Sequence, residues 1–320
     1  MVQKALTVYE HIRRNNIKTF LLFFLFPLLF VFWIYSICVV VNLLIHKGNL
    51  YKIDYENPLL LGVGIFLMVF IWTLISYLWG SKMMLSFAEA KQVEKKVNRS
   101  FYNIVENTAI MAGLPMPKLY IIEDASLNAF TSGRTPKNAA IVVTRGLIET
   151  LSPVEMQGVI AHEIAHIQNR DVRLNTMIIV GLGIFSLIGG RFFKNASFWG
   201  FCGSGYTSKV VGAFFGLFSV LFLLVGLVFL VFGSLFAPLI HMAVSRQREY
   251  TADATGAKIL HNPDALADAL EKIGCSSHIR ALSFQNNFAV ACIVSPFANF
   301  ALSHSYHPPV EERIRRLRAM

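Results

Sequence analysis

Charged residues are scarce in this chain of 320, at 15% for Asp, Glu, Lys and Arg together, against about 25% in an average soluble domain. That scarcity excludes a disordered tail or a polar nucleic-acid arm, both of which need a well-solvated chain. Cysteine is scarce as well. The four present, Cys38, Cys202, Cys275 and Cys292, form no Cys-x-x-Cys pair, which excludes a small disulfide scaffold and leaves them as reduced structural residues. Neither an internal repeat nor a low-complexity linker is found, and glycine shows no collagen period. Apolar residues are what the chain has in plenty. They make up 55% of it, with 27 phenylalanines alone, and an integral membrane protein is the class that remains. The net charge of +10 does not point to nucleic acid, because that reading needs basic residues clustered on a soluble face with aromatics between them. Here they flank apolar runs, so they speak of membrane topology.

The first uncharged run, 20–45, is long enough to cross about 30 Å of hydrocarbon and follows Lys4, Arg13, Arg14 and Lys18. It is too long for a signal peptide and lacks a cleavage site, so it is expected to be an uncleaved anchor. A second run, 58–79, is followed by Lys82, Lys91, Lys95, Lys96 and Arg99. The basic outer flanks predict a transmembrane hairpin over 20–80, with residues 1–19 and the segment after it in the cytoplasm. Residues 81–171 read as a cytoplasmic α+β half. Met84, Phe87, Val93, Val97, Ile104 and Val105 fall near helical spacing, with a stop at Gly113, Pro115 and Pro117. Two strands are expected, over 119–122 and 141–144. The apolar runs 174–190 and 210–240 predict a second hairpin within 172–240, although Arg191, Lys194 and Lys209 between them run against the charge rule. Residues 241–320 form a second cytoplasmic half, with helices expected at about 245–260, 263–274 and from Pro309.

Ser152-Pro153-Val154-Glu155 carries serine at the cap, proline at the first helical position and glutamate three residues after the cap, a strong helix start. The helix it opens contains His162-Glu163-Ile164-Ala165-His166. Four residues along a helix turn about 400° and climb about 6 Å, so both imidazoles project from one face and can share a tetrahedral zinc. Glu163 lies about 100° round from His162, where a general base must stand to deprotonate a metal-activated water. A catalytic zinc needs a third protein ligand. Downstream, Glu249 and Asp253 stand four apart on one predicted helix face. One can ligate while the other accepts a hydrogen bond from a liganding imidazole, and the spacing does not choose between them.

The sequence resembles the HtpX family of membrane zinc metalloproteases, kin to the prenyl-protein endoproteases. Matching elements are Asn128-Ala129-Phe130 with Gly133, the motif from His162 to His166, Arg248-Glu249-Tyr250 with Ala252-Asp253, and His307-Pro308-Pro309 with Arg313. The resemblance implies a multi-span α-helical membrane protein, of about four transmembrane helices in two hairpins, carrying a cytoplasmic α+β zincin domain of the gluzincin type. It implies one Zn²⁺ per chain, with Glu249 as third ligand and Asp253 as its neighbouring hydrogen-bond acceptor. It gives His307 and Arg313 a part in stabilising the oxyanion. It also implies that an edge strand beside the metal helix, here Ile141, Val142, Val143 and Thr144, holds an extended substrate, with Asn128 and Phe130 orienting it. The expected activity is endopeptidase cleavage of membrane or membrane-near polypeptides in quality control and stress response, in a bacterial inner membrane. Prenyl-protein processing is the nearest rival, and a non-enzymatic scaffold or transporter the other.

Two departures from the family pattern stand out. The stretch 275–305 is longer and more apolar than expected before the His-Pro pair. Thr131 and Ser132 replace the small residues expected after Phe130.

Overall fold

The computed structural model describes residues 8–45, 56–96, 98–176, 179–180, 227, 246–274 and 308–320. Most of 174–190 and 210–240, the stretch 275–305 and His307 lie outside the described residues. The chain divides into two units. One holds residues 26–70 and 181–240, the other residues 1–25, 71–180 and 241–320.

Two long helices open the chain, α1 (Val8–Ile45) and α2 (Glu56–Phe87). Their segments Thr19–Ser36 and Gly62–Phe87, with mean hydropathies of 2.2 and 2.0, are long and apolar enough to cross a membrane. Large apolar side chains are exposed along both, among them Phe20, Phe32, Leu67 and Met68. Water would not tolerate so continuous an apolar surface, whereas lipid would.

The helical spacing read through 84–105 is broken into three elements. Met84 and Phe87 belong to the last turns of α2, which ends where Glu89 takes a positive φ of 50°. A two-residue strand β1 (Lys91–Gln92) follows. Then α3 (Arg99–Met111) starts at Asn98, whose side chain accepts from Phe101 N at 3.1 Å. Helical spacing persisted across the break because Met84 and Val105 both point into cores, though different ones.

Four strands form one sheet in the order β1-β2-β4-β3. β2 (Lys118–Ile122) runs parallel to β4 (Ala140–Thr144), and β3 (Ala129–Ser132) runs antiparallel to β4. This corrects the expectation that 141–144 is an edge. β4 is paired on both sides, Ile141 against Leu119 and Thr131, so its backbone has no free side for an added strand. β3 is the edge next to it. The period-two pleat sends alternate side chains to opposite faces. Ile141 and Val143 join the core that contains Phe101, Val105, Ile160 and Ile164. Ala140, Val142 and Phe130 pack with Met84 and Leu85 of α2 and with Ile179 and Val180.

After β4 come a short helix α4 (Arg145–Thr150) and then α5 (Pro153–Gln168). Ser152 Oγ accepts from Glu155 N at 3.4 Å and Glu155 Oε2 accepts from Ser152 N at 2.8 Å, the reciprocal cap anticipated from the sequence. Its middle is buried on every side, and each fully covered Ile or Val there contributes about 1.5 to 3 kcal/mol. Against it pack α6 (Arg246–Leu260) and α7 (Pro263–Gly274), while α8 (Val310–Arg318) covers α7. Gly158 makes the α5–α7 approach possible, since a Cβ there would stand 2.6 Å from the backbone of Ala265 and Leu266. Arg318 ties α8 to α7 through Asp264, Asp268 and Glu271, exposed pairs that solvent screens.

Candidate metal centre

α5 presents His162 and His166 on one face, their ring centroids 4.7 Å apart and their planes at 89°. The two Nε2 atoms are separated by 3.1 Å. α6 crosses this face so closely that a Cβ on Gly256 would lie 3.0 Å from His162 N. Glu249, two turns earlier on the same face of α6, therefore reaches the pair: its Oε2 is 3.7 Å from His162 Nε2 and its Oε1 is 3.7 Å from His166 Nε2. Ligands about 2.0 to 2.1 Å from a tetrahedral zinc would stand about 3.3 Å from one another. The imidazole pair at 3.1 Å falls just under that value and each Glu249 oxygen lies just over it from one imidazole; one donor atom from each residue can be taken with all three within 4.8 Å of one another, a set that could hold one small divalent ion.

The charges around the triangle point the same way. Glu163, Asp171, Glu249 and Asp253 are all buried, and with them only two buried guanidiniums, Arg248 and Arg313, among the described residues. With both imidazoles neutral, as metal ligation requires, four carboxylates against two guanidiniums leave two negative charges in a medium that penalises any uncompensated charge by several kcal/mol. A divalent cation cancels that excess. The same excess acts on His166. Burial alone would lower its pKa, but Glu249, Asp171 and Glu163 overcome burial and raise it to about 9.

Each imidazole of the pair is held from behind. His162 Nδ1 lies 2.9 Å from Asp253 Oδ1, and His166 Nδ1 lies 3.1 Å from Asp171 Oδ2. A carboxylate at Nδ1 keeps the proton there and turns the Nε2 lone pair toward the metal. Arg313 is fully buried and grips Asp253 with two bonds, Nε to Oδ2 at 2.9 Å and Nη2 to Oδ1 at 2.7 Å. Burial opposes ionisation of Asp253, yet Arg313 and His162 hold its pKa down to about 2. The expected oxyanion role for Arg313 does not fit this position. Its guanidinium stands on the Nδ1 side of His162, 3.5 Å from that atom, on the far side of the imidazole from the metal triangle. It braces a ligand.

Three contributors were not anticipated from the sequence. Asp171 reaches His166 because Arg170 adopts a positive φ of 58° just after α5 and folds the chain back. Arg248 then lies 3.8 Å from Asp171 and donates to Asn175 Oδ1 at 2.8 Å. Thr131 of β3 donates its hydroxyl to Glu163 Oε2. The departure from the small-residue pattern at Thr131 thus touches the expected general base directly. No propensity rule marks an arginine for left-handed backbone or pairs a threonine with a glutamate 32 residues on.

The remaining expected site residues fall elsewhere. Phe130 is buried on the sheet face opposite α5, among Met84, Leu85 and Val142. It therefore packs a core and is turned away from the metal triangle. Asn128 is buried at the start of β3, where its backbone carbonyl accepts from Thr144 N and Thr144 Oγ1. Ile141, Val142 and Val143 are core residues of the central strand.

A His-Glu-x-x-His helix completed by a glutamate from a second helix, each imidazole backed by a carboxylate, defines a metallopeptidase centre of the zincin kind. The chain belongs to peptidase family M48, whose profile matches residues 95–320. A curated relative described as "Protease HtpX homolog" from Thermoanaerobacter pseudethanolicus is 36% identical over 290 residues, covering 89% of this chain and 94% of that one. Another, from Lactobacillus helveticus, is 35% identical over 317 residues, with coverage of 98% and 100%. A third, from Bacteroides fragilis, is 34% identical over 313 residues, with coverage of 94% and 95%. Among solved structures, the crystal structure of S. mikatae Ste24p matches with a TM-score of 0.44 and 23% identity, over 88% of this chain and 62% of that one.

Proposed function

We propose that this metallopeptidase is a zinc-dependent endopeptidase of a bacterial inner membrane, cleaving membrane or membrane-near polypeptides in protein quality control. The observation that carries the reading is the triangle of His162, His166 and Glu249, with Glu163 beside it. Bound there, zinc would supply Lewis acidity toward water and toward the scissile carbonyl. Glu163 takes the proton from the attacking water and returns it to the leaving amine. Thr131 fixes the Glu163 carboxylate while Asp253 and Asp171 hold the imidazoles in one tautomer. The substrate lies as an added strand along β3, the edge strand that carries Thr131. Backbone-led recognition of this kind tolerates many sequences, which suits quality control.

The membrane reading draws support from the apolar segments Thr19–Ser36 and Gly62–Phe87. Lys82, Lys91, Lys95, Lys96 and Arg99 follow the second at once and favour a cytoplasmic catalytic side. The runs 174–190 and 210–240 would complete four spans.

Glu163→Gln keeps the shape and removes the base. Purified full-length variant should retain zinc and lose hydrolysis of an unfolded casein substrate by about 10² to 10⁴-fold. Hydrolysis at the rate of the unaltered chain would remove Glu163 from the mechanism.

A further inference from the structure

The face of the sheet that packs on α2, opposite the metal triangle, carries a cavity of about 280 Å³. It is lined by the last turns of α2, by Lys118 and Tyr120 of β2, by Ala140 of β4, by Gly133 and Arg134 just after β3, and by Arg173. Four cations face it, Lys82, Lys118, Arg134 and Arg173, and no carboxylate is among its described lining residues. None of the four forms an ion pair among the described residues. Arg173 instead donates to the neutral Asn16 side chain, and Arg134 lies 5.3 Å from the centre of the Tyr77 ring. Ser76 lines the same cavity with its hydroxyl buried and lacking a hydrogen-bond partner, as does Arg173 with its Nε. Cations converging on a space with spare donors make an anion site, and guanidinium with ammonium groups is the donor set suited to a phosphate ester.

The cavity mouth adds a second, apolar feature. Leu78 lines it and is exposed, and Leu74 and Ile71 continue as exposed residues at helical spacing along α2. A stripe of exposed aliphatic side chains leading out of a basic cavity at the end of an apolar helix suits an acyl chain attached to the phosphate. A free phosphate would make no use of it. We propose that this cavity binds the phosphate head group of an anionic phospholipid, with its acyl chain running along Ile71, Leu74 and Leu78. The proposal rests on the reading of α2 as a span and not on the metal centre, so lipid binding is measured apart from hydrolysis.

The test uses the purified full-length chain in a neutral detergent, titrated with dioctanoyl phosphatidylglycerol, dioctanoyl phosphatidylcholine or inorganic phosphate, with bound ligand read by native mass spectrometry. Phosphatidylglycerol should bind about tenfold or more tighter than phosphatidylcholine, and inorganic phosphate at equal concentration should not displace it. The double variant Lys82→Gln with Arg134→Gln should lose about tenfold in phosphatidylglycerol affinity. The control pair Lys95→Gln with Arg145→Gln, two exposed cations outside the cavity, should lose nothing. Should the cavity variant fail to fold, the lipid preference of the unaltered chain still decides. Equal binding of the two lipids, unchanged affinity in the cavity variant, or the same loss in the control would overturn the proposal. Displacement by inorganic phosphate would overturn it too, by assigning the cavity to the free ion.

Discussion

Gly256 is the point at which helix packing and metal affinity meet. A methyl group built on it stands 3.0 Å from His162 N and 3.2 Å from His162 Cα and Ala161 C. Favourable contact begins at about 3.5 Å, so Gly256→Ala must part α5 and α6 by about 0.3 to 0.5 Å. Neither side of that contact is a flexible side-chain end, and backbone has little room to give. Glu249 rides on α6 while both histidines ride on α5, and metal–ligand bonds tolerate only about 0.2 Å. Overpacking of this kind costs about 1 to 3 kcal/mol, which corresponds to about a five- to 150-fold loss of zinc affinity if the triangle absorbs it. Alanine also favours the helix by about 0.5 to 1 kcal/mol over glycine, which offsets part of that cost in the metal-free protein. Competition with a chromogenic chelator measures the affinity, and calorimetry of the metal-free protein supplies the comparison. Undiminished zinc affinity would refute the idea that this close approach sets the reach of Glu249.

Asp171→Asn should keep the fold and weaken zinc binding about 10- to 100-fold, because His166 loses the carboxylate that fixes its Nδ1 proton. Chelator competition checks this, and unaltered affinity would leave Asp171 with a structural role alone. Zinc affinity should also depend on pH. With its pKa at about 9 in the metal-free protein, against an ordinary 6.5, protonated His166 stabilises the metal-free fold below about pH 6.5. That stabilisation is lost as pH rises through about 9. Since ligation needs the deprotonated nitrogen, zinc affinity should climb by about one decade per pH unit over that window and then level off. A flat profile in chelator competition would contradict the assignment.

The parts of the site that the sequence disclosed are those fixed by local rules. A capping box starts α5, and a four-residue spacing stacks His162 over His166 as it stacks Glu249 over Asp253. The parts it concealed depend on what packs against what. β3 is four residues long and buried on both faces, so it shows no alternation, and without it β4 looked like an edge. Phe130 matched a family motif, but the pleat that turns it away from α5 follows from strand pairing. Arg313 is one of four arginines in a nine-residue helix. Only the burial pattern of α8 distinguishes it from Arg315, Arg316 and Arg318, which stay at the surface.

Zinc content of Glu249→Ala beside Glu163→Gln, measured by elemental mass spectrometry after dialysis against a weak chelator, bears most directly on the account. Three donors on two helices holding one ion predict about one zinc per chain when Glu163 is replaced and almost none when Glu249 is replaced. Equal zinc in both variants would contradict the assignment of Glu249 as third ligand, and with it the reading of this centre.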